Sequence, residues 1–149
     1  MLIVALLLLG CGGKPLNTEQ TNQVRQAARY FLSGIQTGNA GWACNNSTPD
    51  YWMQAGWTKN RQASFANCLG GFKARFHSSP LDATDHAQYS RMLAQLPKAH
   101  LEGKGEAAKI QFTDMPKGSC QSSKMSLHQD GMPWKVTDFI QGRCFGLAK

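Results

Sequence analysis

Apolar residues recur at helical spacing between Thr18 and Thr37. The positions three and four residues apart are Val24, Ala27, Ala28, Phe31, Leu32 and Ile35. This spacing places one apolar stripe along a helix. Gly38 can adopt the left-handed conformation that ends a helix, and Asn39 can cap a second short helix running through Trp42 and Cys44. The stretch therefore predicts two consecutive helices.

A third helix is predicted to begin at Thr58, because Pro49 and Gly56 interrupt the chain before it. Its apolar stripe consists of Phe65, Cys68, Leu69, Phe72 and Phe76. The next segment, 82–96, lies between Pro80 and Pro97 and fits either a short helix or an irregular strand. Both alternatives stay open on the sequence.

Beyond residue 106 the apolar positions repeat every second residue. Ala108, Ile110 and Phe112 alternate with polar residues, a pattern typical of a strand with one solvated face. Further along, Asp130-Gly131 is a dipeptide that favours a two-residue hairpin turn. The C-terminal part of the chain therefore predicts antiparallel strands.

The predicted hairpin has a definite register. A two-residue turn at Asp130-Gly131 sets Leu127 opposite Trp134 and Met125 opposite Val136. The same register places Cys120 opposite Gln141, three residues short of Cys144. A wider loop or a β-bulge is required if these two cysteines are joined.

An unbroken aliphatic run, Leu2–Leu9, opens the chain. It is too short to cross a bilayer as a helix, and it has the character of the apolar region of a secretory signal. Leu8-Leu9-Gly10-Cys11 resembles a bacterial lipobox, which implies cleavage before Cys11 and attachment of lipid to its thiol. The alternative is an ordinary cleaved signal peptide. Because Gly12 is not the Asp that signals inner-membrane retention, we expect delivery to the outer membrane, facing the periplasm.

Cys11 apart, four cysteines remain: Cys44, Cys68, Cys120 and Cys144. An even number in an exported protein predicts two disulfides, and proximity along the chain favours Cys44–Cys68 and Cys120–Cys144. The alternative is free buried thiols or a zinc site. The chain lacks the Cys-x-x-Cys and His-x-x-x-His spacings of zinc sites.

Charge and length suggest one basic domain. The formal net charge is +7, and all 16 Lys and Arg follow Cys11. Outside the cytoplasm such a charge favours anionic lipid, cell-wall polymer or an acidic protein rather than nucleic acid. The alternative is a solvated surface with dispersed charge. We expect a signal peptide over residues 1–10, a lipidated cysteine and tether over 11–17, and a single domain over 18–149.

Helices followed by antiparallel strands predict an α+β domain whose N-terminal helices pack on a curved sheet. The phrases "AARYFLSGIQTGNAGWAC" and "DGMPWKVTDF" resemble small exported lipoproteins of the nuclear transport factor two-like (cystatin-like) superfamily. Gly38-Asn39 stands where the first helix of that family typically ends in a Gly-Asp pair, and residues 131–136 resemble the Gly-x-Trp-Lys-Val type ending of its last strand. The resemblance implies a cone-like fold, with the sheet wrapped around a long helix and an apolar mouth.

Aromatic residues are the best candidates for a binding site. Those that could line the mouth of the cone are Phe31, Trp42, Tyr51, Trp52, Trp57 and Trp134. They suit a ligand cage or a protein-docking patch, and the alternative is that they close the core. Asp50, beside Tyr51, is the best acid for catalysis and serves equally well as a helix cap. We predict no catalytic residues, no cofactor and no metal site.

Three functions are compatible with these features. The first is a membrane-anchored envelope lipoprotein with a non-enzymatic domain that binds a ligand or a protein in the periplasm. The second is a periplasmic inhibitor or immunity protein that acts against a toxin or hydrolase of the cell wall. The third is a small-molecule enzyme of the isomerase or dehydratase type, because the superfamily includes such enzymes.

Overall fold

The computed structural model describes residues 13–116, 118–129, 131 and 133–145. Among them, five helices come first and pack against a curved antiparallel sheet of four strands, which confirms the predicted α+β class. The predicted signal peptide and Cys11 lie outside the described residues. Within the described part of the chain, no helix has the length and apolarity needed to cross a membrane.

The first two helices form as their sequence pattern predicts. Helix α1 (Thr18–Thr37) buries the whole predicted apolar stripe and ends at Gly38, whose φ is 71°. Helix α2 (Ala40–Asn45) follows at once, and the side chain of Asn39 accepts a hydrogen bond from the Trp42 backbone N–H. The two helices touch at Gly34, where a Cβ would lie 2.5 Å from the backbone nitrogen of Ala43. Only a glycine allows this approach.

The next two helices correct the predicted boundaries. Pro49 does not interrupt the helical region but is the first residue of helix α3 (Pro49–Gln54). Proline suits this position because the backbone N–H groups of the first helical turn have no acceptor within the helix, so the missing N–H costs no hydrogen bond. Helix α4 (Phe65–Ser78) begins at Phe65 rather than Thr58, since Ser64 and Asn67 form a capping box at that point. Phe65 was predicted to face inward, yet it is 45% exposed because it occupies the first position of the helix.

Segment 82–96 is a helix, which decides between the two alternatives. Helix α5 (Ala83–Gln95) is capped by Asp82, whose side chain accepts from the backbone N–H of Asp85. Tyr89 and Met92 are buried on its inner side. Helix α1 lies centrally in the domain and packs against α2, α5 and the sheet.

Each strand of the four-stranded sheet pairs antiparallel with its neighbours, and β3 lies outside this sheet. Its order is β1-β2-β4-β5, and a separate two-stranded ribbon pairs β3 with β6. The strands are β1 (His100–Lys104), β2 (Ala107–Gln111), β3 (Cys120–Gln121), β4 (Lys124–His128), β5 (Lys135–Ile140) and β6 (Arg143–Cys144). Strand β1 was not predicted, because it lacks the alternation of apolar residues that marks a strand. Its inward position at Gly103 has no side chain, and Leu16 fills that space instead.

The β4–β5 hairpin corrects the predicted register. Leu127 pairs with Val136 instead of Trp134, and Met125 pairs with Phe139. The apolar faces still meet, but each β4 residue has a partner further along β5 than the two-residue turn would give.

A wider loop and a β-bulge together explain the shift. The loop from His128 to Lys135 moves the pairing by two positions, and a bulge at Ser126/Leu127 moves it by one more. The sum brings Cys120 directly opposite Cys144. Gly131 adopts a φ of 58°, as a turn glycine does, while Asp130 and Met132 lie outside the described residues.

Both predicted disulfides are confirmed. Cys44–Cys68 joins α2 to α4 with both residues fully buried, and Cys120–Cys144 closes the β3–β6 ribbon. The first bridge therefore lies in the core, whereas the second lies at the edge of the molecule.

A buried carboxylate ties α5 to the sheet. The side chain of Asp114, which follows β2, accepts hydrogen bonds from Ser123 N at 2.8 Å, Ser123 Oγ at 2.6 Å and Gln88 Nε2 at 2.8 Å. Ser123 Oγ in turn accepts from the backbone N–H of Gly142 at 2.7 Å. Every member of this cluster thus has a partner, which is the condition for a buried polar group to be tolerated.

We predict that removing the two bridges lowers stability unequally. Replacing Cys44 and Cys68 together by Ala should lower the free energy of unfolding by roughly 2–5 kcal/mol. The matched control is the pair Cys120 and Cys144, which has the same sequence separation of 24 residues. Removing this second bridge should lower the free energy of unfolding by less, because its cysteines are not buried and their replacement leaves no void in the core. Urea unfolding measures both, and equal losses would contradict a packing contribution from the buried bridge.

We also predict that Asp114→Ala is strongly destabilising. It leaves Ser123 N and Ser123 Oγ without their acceptor, at roughly 1–3 kcal/mol for each stranded group, while Gln88 Nε2 keeps its second acceptor, the carbonyl of Gly142. The control is Asp50→Ala, which removes an exposed carboxylate and should change the unfolding midpoint little. Thermal melts of the two variants provide the comparison, and similar midpoints would show that the Asp114 cluster is energetically unimportant.

Candidate functional site

The predicted aromatic residues do not share one cavity. The structure distributes them over the core, a pocket lined mainly by α3, α4 and α5, and a groove between α1, α2 and the β4–β5 loop. We consider these three places in turn.

Trp52 belongs to the core. It is 5% exposed, and its Nε1–H donates to Ser47 Oγ at 2.9 Å. Ser47 Oγ–H donates in turn to the carbonyl of Ala43 at 2.6 Å, so the indole links α3 to α2. Phe31 is also fully buried and packs edge-on against Tyr51. In this arrangement the Trp52 ring cannot contact a partner at the surface.

Asp50 points away from the aromatic residues that follow it. Its carboxylate is exposed and pairs with Arg61 Nε at 3.2 Å. Tyr51 and Trp52 turn inward. The carboxylate, phenol and indole that adjoin in the sequence therefore do not form a single catalytic constellation.

A cavity of about 400 Å³ lies among α1, α3, α4 and α5, and we call it the mouth pocket because two of the residues predicted for the mouth, Tyr51 and Trp57, line it. Its lining includes Ile35, Tyr51, Trp57, Phe76, Asp85 and Tyr89. Burial, and secondarily the Asp138 carboxylate, raises the pKa of Tyr51. Burial also raises the pKa of Tyr89, with smaller contributions from Tyr51 and Asp85. A tyrosine is already protonated at neutral pH, and the raised pKa extends this to higher pH, so both phenols can donate hydrogen bonds to a carbonyl or carboxylate oxygen.

The larger cavity, about 740 Å³, is a groove between α1, α2 and the β4–β5 loop. We call it the amide groove, because carboxamide side chains make up half of its lining. Its residues include Gln23, Gln26, Tyr30, Trp42, Asn45, Asn46, Gln129, Pro133 and Trp134. Two of the predicted candidates, Trp42 and Trp134, thus lie here.

Two aromatic rings stand partly in solvent at this groove. Trp42 is 44% exposed and Tyr30 is 37% exposed. Their ring centroids are 5.4 Å apart with an interplanar angle of 61°, an edge-to-face contact. The pair therefore offers two differently inclined aromatic surfaces to a ligand.

Hydrogen bonds hold the wall formed by α2 in place. Asn46 Nδ2 donates to the Trp42 carbonyl at 2.8 Å, and the Asn46 carbonyl accepts from Val136 N at 2.8 Å. The second bond joins the end of α2 to β5. The position of Trp42 is thus set by the sheet as well as by its own helix.

Trp134 forms a buried part of the groove lining. It is 2% exposed, and its Nε1–H has no hydrogen-bond partner among the described residues. A buried indole N–H usually has an acceptor, and leaving one without a partner is costly. This is the one buried donor at the groove whose hydrogen-bonding need is unmet within the described chain.

None of the five amide residues was identified from the sequence, although a signal for two of them exists. Gln23, Gln26 and Tyr30 are separated by three and four residues, so they share one face of α1 beside the apolar stripe. Asn45 and Gln129 have no such pattern. Only the fold brings α2 and the β4–β5 loop together.

Ionisable groups elsewhere form no evident metal site. Across the described ranges, no cluster of three or more His, Cys, Asp or Glu side chains is placed to hold a metal ion. His100 Nε2 and Glu102 Oε1 are 2.7 Å apart on the exposed face of β1, and the hydrogen bond with His100 lowers the pKa of Glu102. The two-residue spacing of a strand puts them on the same face.

We predict that Trp52 is structural and Trp42 is not. Trp52→Ala should lower the free energy of unfolding by roughly 3–5 kcal/mol, because it leaves a void and removes the partner of Ser47. Trp42→Ala, its matched control, should lower it by less than about 1 kcal/mol. Urea titration followed by circular dichroism gives both values. Equal losses would assign Trp42 to the core as well.

Comparisons of the chain with protein-family models, with curated proteins and with solved structures give no match. Membership of the nuclear transport factor two-like superfamily therefore stays a prediction, based on the residues quoted above.

Proposed function

We propose that this protein is a lipid-anchored binding protein of the bacterial cell envelope, and that its ligand or partner occupies the amide groove. The observation that supports a binding role is the groove itself, where two partly exposed aromatic rings face a set of amides. Concave sites with aromatic walls and a few converging polar groups are typical of ligand binding.

Binding without catalysis agrees best with the side chains present. The described lining of the amide groove consists of amides, aromatic rings, an alanine and a proline, and none of these exchanges protons readily near neutral pH. In the mouth pocket the phenols of Tyr51 and Tyr89 are protonated at neutral pH, as tyrosines ordinarily are, and burial raises their pKa further. They can donate hydrogen bonds there but are not bases at neutral pH, and the one carboxylate of the described lining, Asp85, accepts a hydrogen bond from Gln141 Nε2 at 3.0 Å.

The anchor is inferred from the sequence around Cys11. A short aliphatic run followed by Gly10-Cys11 is the pattern of a lipid-modified cysteine. The two disulfides support an oxidising compartment outside the cytoplasm. The formal charge of +7 also suits a protein held close to anionic headgroups.

The described start of the chain limits the distance between this anchor and the domain. Pro15 forms a β-bridge with Lys104, and the Lys14 carbonyl accepts from Gly105 N at 2.9 Å. Only Gly12 separates Cys11 from Gly13, and two residues span at most about 7 Å. The lipid would therefore hold the β1–β2 turn near the membrane surface.

The amide groove lies toward the same end of the sheet. The backbone N–H of Gln129, a groove residue, donates to the carbonyl of Glu106 in the β1–β2 turn at 2.8 Å. A ligand in the groove would therefore be bound at the end of the domain that carries the anchor.

We predict that Cys11→Ser releases the protein from membranes. The serine cannot take the thioether-linked lipid, so the variant should appear in the soluble fraction and incorporate no labelled palmitate. Lys14→Ala, which leaves the four lipobox residues intact, should remain in the membrane fraction as the wild type does. A wild-type protein that is soluble and unlabelled would overturn the proposed anchor.

A further inference from the structure

We infer that the mouth pocket binds a quaternary ammonium group, the cationic head of choline and related compounds. The pocket shares no described lining residue with the amide groove, so this second site goes beyond the proposed function. The aromatic rings around the cavity, two phenol oxygens that border it and the negative charge on its buried side support this assignment.

Five aromatic side chains line the mouth pocket. They are Tyr51, Trp57, Phe72, Phe76 and Tyr89. The ring of Trp57 lies 5.3 Å from that of Tyr51 at an interplanar angle of 82°, and 4.8 Å from that of Phe72 at 83°. Because neighbouring rings stand nearly perpendicular, they border the cavity from different directions. Aromatic rings around one space are typical of sites for quaternary ammonium ions, since the ring faces attract a cation.

The hydroxyl groups of Tyr51 and Tyr89 open into the pocket. Neither forms a hydrogen bond with any group in the described ranges. The described side-chain atoms that are both completely buried and without a partner are Trp134 Nε1 and Asp138 Oδ1. The two phenol oxygens are not among them, so part of each stays accessible although both residues are buried. A phenol oxygen carries partial negative charge and can lie against a cation.

The charge on the buried side of the pocket is negative. Asp85 lines the pocket and is half-buried, and one oxygen of Asp138 is completely buried with no hydrogen-bond partner in the described chain. Burial is the main cause of the raised pKa of Tyr51, and Asp138 raises it further. Burial and then Tyr51 raise the pKa of Tyr89, and Asp85 adds to them. Both carboxylates therefore act on the phenols, and they would attract a cation placed beside them.

Arg75 is the positive side chain of the described lining, and it acts from the solvent side. It lies in the last turn of α4, is exposed, and pairs with no carboxylate among the described residues. Water and salt screen an exposed charge, whereas a half-buried charge acts through less polar surroundings. The potential inside the pocket is therefore set more by Asp85 than by Arg75.

A small carboxylate is the strongest competing ligand, since the phenols and Arg75 can all donate hydrogen bonds to it. Its charge would lie near Asp85 and Asp138, and like charges repel strongly where water is scarce. The negative charge of these two residues thus favours a cation over an anion.

Among cations, the aromatic lining favours a quaternary ammonium over a primary one. A primary ammonium has three N–H donors, and each would need an acceptor once it is buried. A quaternary ammonium has no N–H, and its methyl groups can contact the rings directly. The cavity of about 400 Å³ also lies within the roughly 300–1,000 Å³ typical of ligand sites.

Isothermal titration calorimetry of the full-length protein in dodecyl maltoside tests the inference with choline as the probe. Neohexyl alcohol has the shape of choline with carbon in place of nitrogen, and tert-butylacetate carries a carboxylate on the same bulky group. We expect saturable binding of choline and roughly tenfold weaker binding of neohexyl alcohol, because the ring faces attract the charge. The carboxylate should bind no more tightly than the alcohol.

Variants locate the binding site. Asp85→Asn removes the charge but keeps an oxygen for Gln141, and it should weaken choline binding roughly fivefold. Phe76→Leu removes one ring but keeps an apolar side chain, and the loss should be roughly threefold. Two controls should bind choline as the wild type does: Phe65→Leu, on the same helix but outside the described lining, and Trp42→Ala in the amide groove. Thermal melts establish that each variant is folded.

A second arm distinguishes a soluble cation from a lipid headgroup. The full-length protein is placed in nanodiscs of phosphatidylethanolamine and phosphatidylglycerol, whose headgroups lack the trimethylammonium group, and in discs that also contain phosphatidylcholine. Weaker apparent binding of choline in the second discs would support the inference and assign the headgroup as the source through competition. Equal binding in both would support it with a soluble cation as the source.

Four results would overturn the inference. They are a folded wild type that does not bind choline, equal affinity for choline and neohexyl alcohol, and tighter binding of tert-butylacetate than of choline. The fourth is a loss in Trp42→Ala with unchanged affinity in Asp85→Asn and Phe76→Leu, which would move the cation to the amide groove. Release of Cys11→Ser from membranes is measured separately, so the anchor and the second site fail or hold independently.

Discussion

The close packing of α2 against α1 at Gly34 is the constraint on which the rest of the helical layer depends. A Cβ at Gly34 would overlap the backbone of Ala43, so α2 lies closer to α1 at this point than any side chain would permit. This contact places Cys44 where it can reach Cys68 on α4. It also places Trp42 beside Tyr30 and thereby creates one wall of the amide groove.

The sheet is adjusted to the same arrangement through its last hairpin. The wide β4–β5 loop and the bulge in β5 move the pairing forward, and the ribbon of β3 and β6 closes in register with its disulfide. The loop also brings Gln129 and Trp134 to the groove. The irregularities of this hairpin thus serve both the covalent closure of the ribbon and the shape of the site.

The chemistry of the amide groove contrasts with that of the whole protein. The chain carries a formal charge of +7, yet the described lining of the groove is uncharged. In the core, the Asp114 cluster and the Trp52–Ser47–Ala43 chain fix the elements that surround these surfaces.

Local patterns in the sequence determined the elements whose signals are local: the apolar stripe of α1, the caps at Gly38 and Asn39, and the alternation at Ala108 and Ile110. They misplaced the start of α4 and missed β1, where Ser64 capping and the filling of Gly103 by Leu16 depend on neighbours. The register of the β4–β5 hairpin could be read only from the tertiary structure. The Asp-Gly dipeptide favours a two-residue turn, whereas the Cys120–Cys144 bridge and the packing of the core require a pairing three positions further along. The site needed it most, since Trp42, Trp52 and Trp134 look alike in sequence and only packing decides which of them meets solvent.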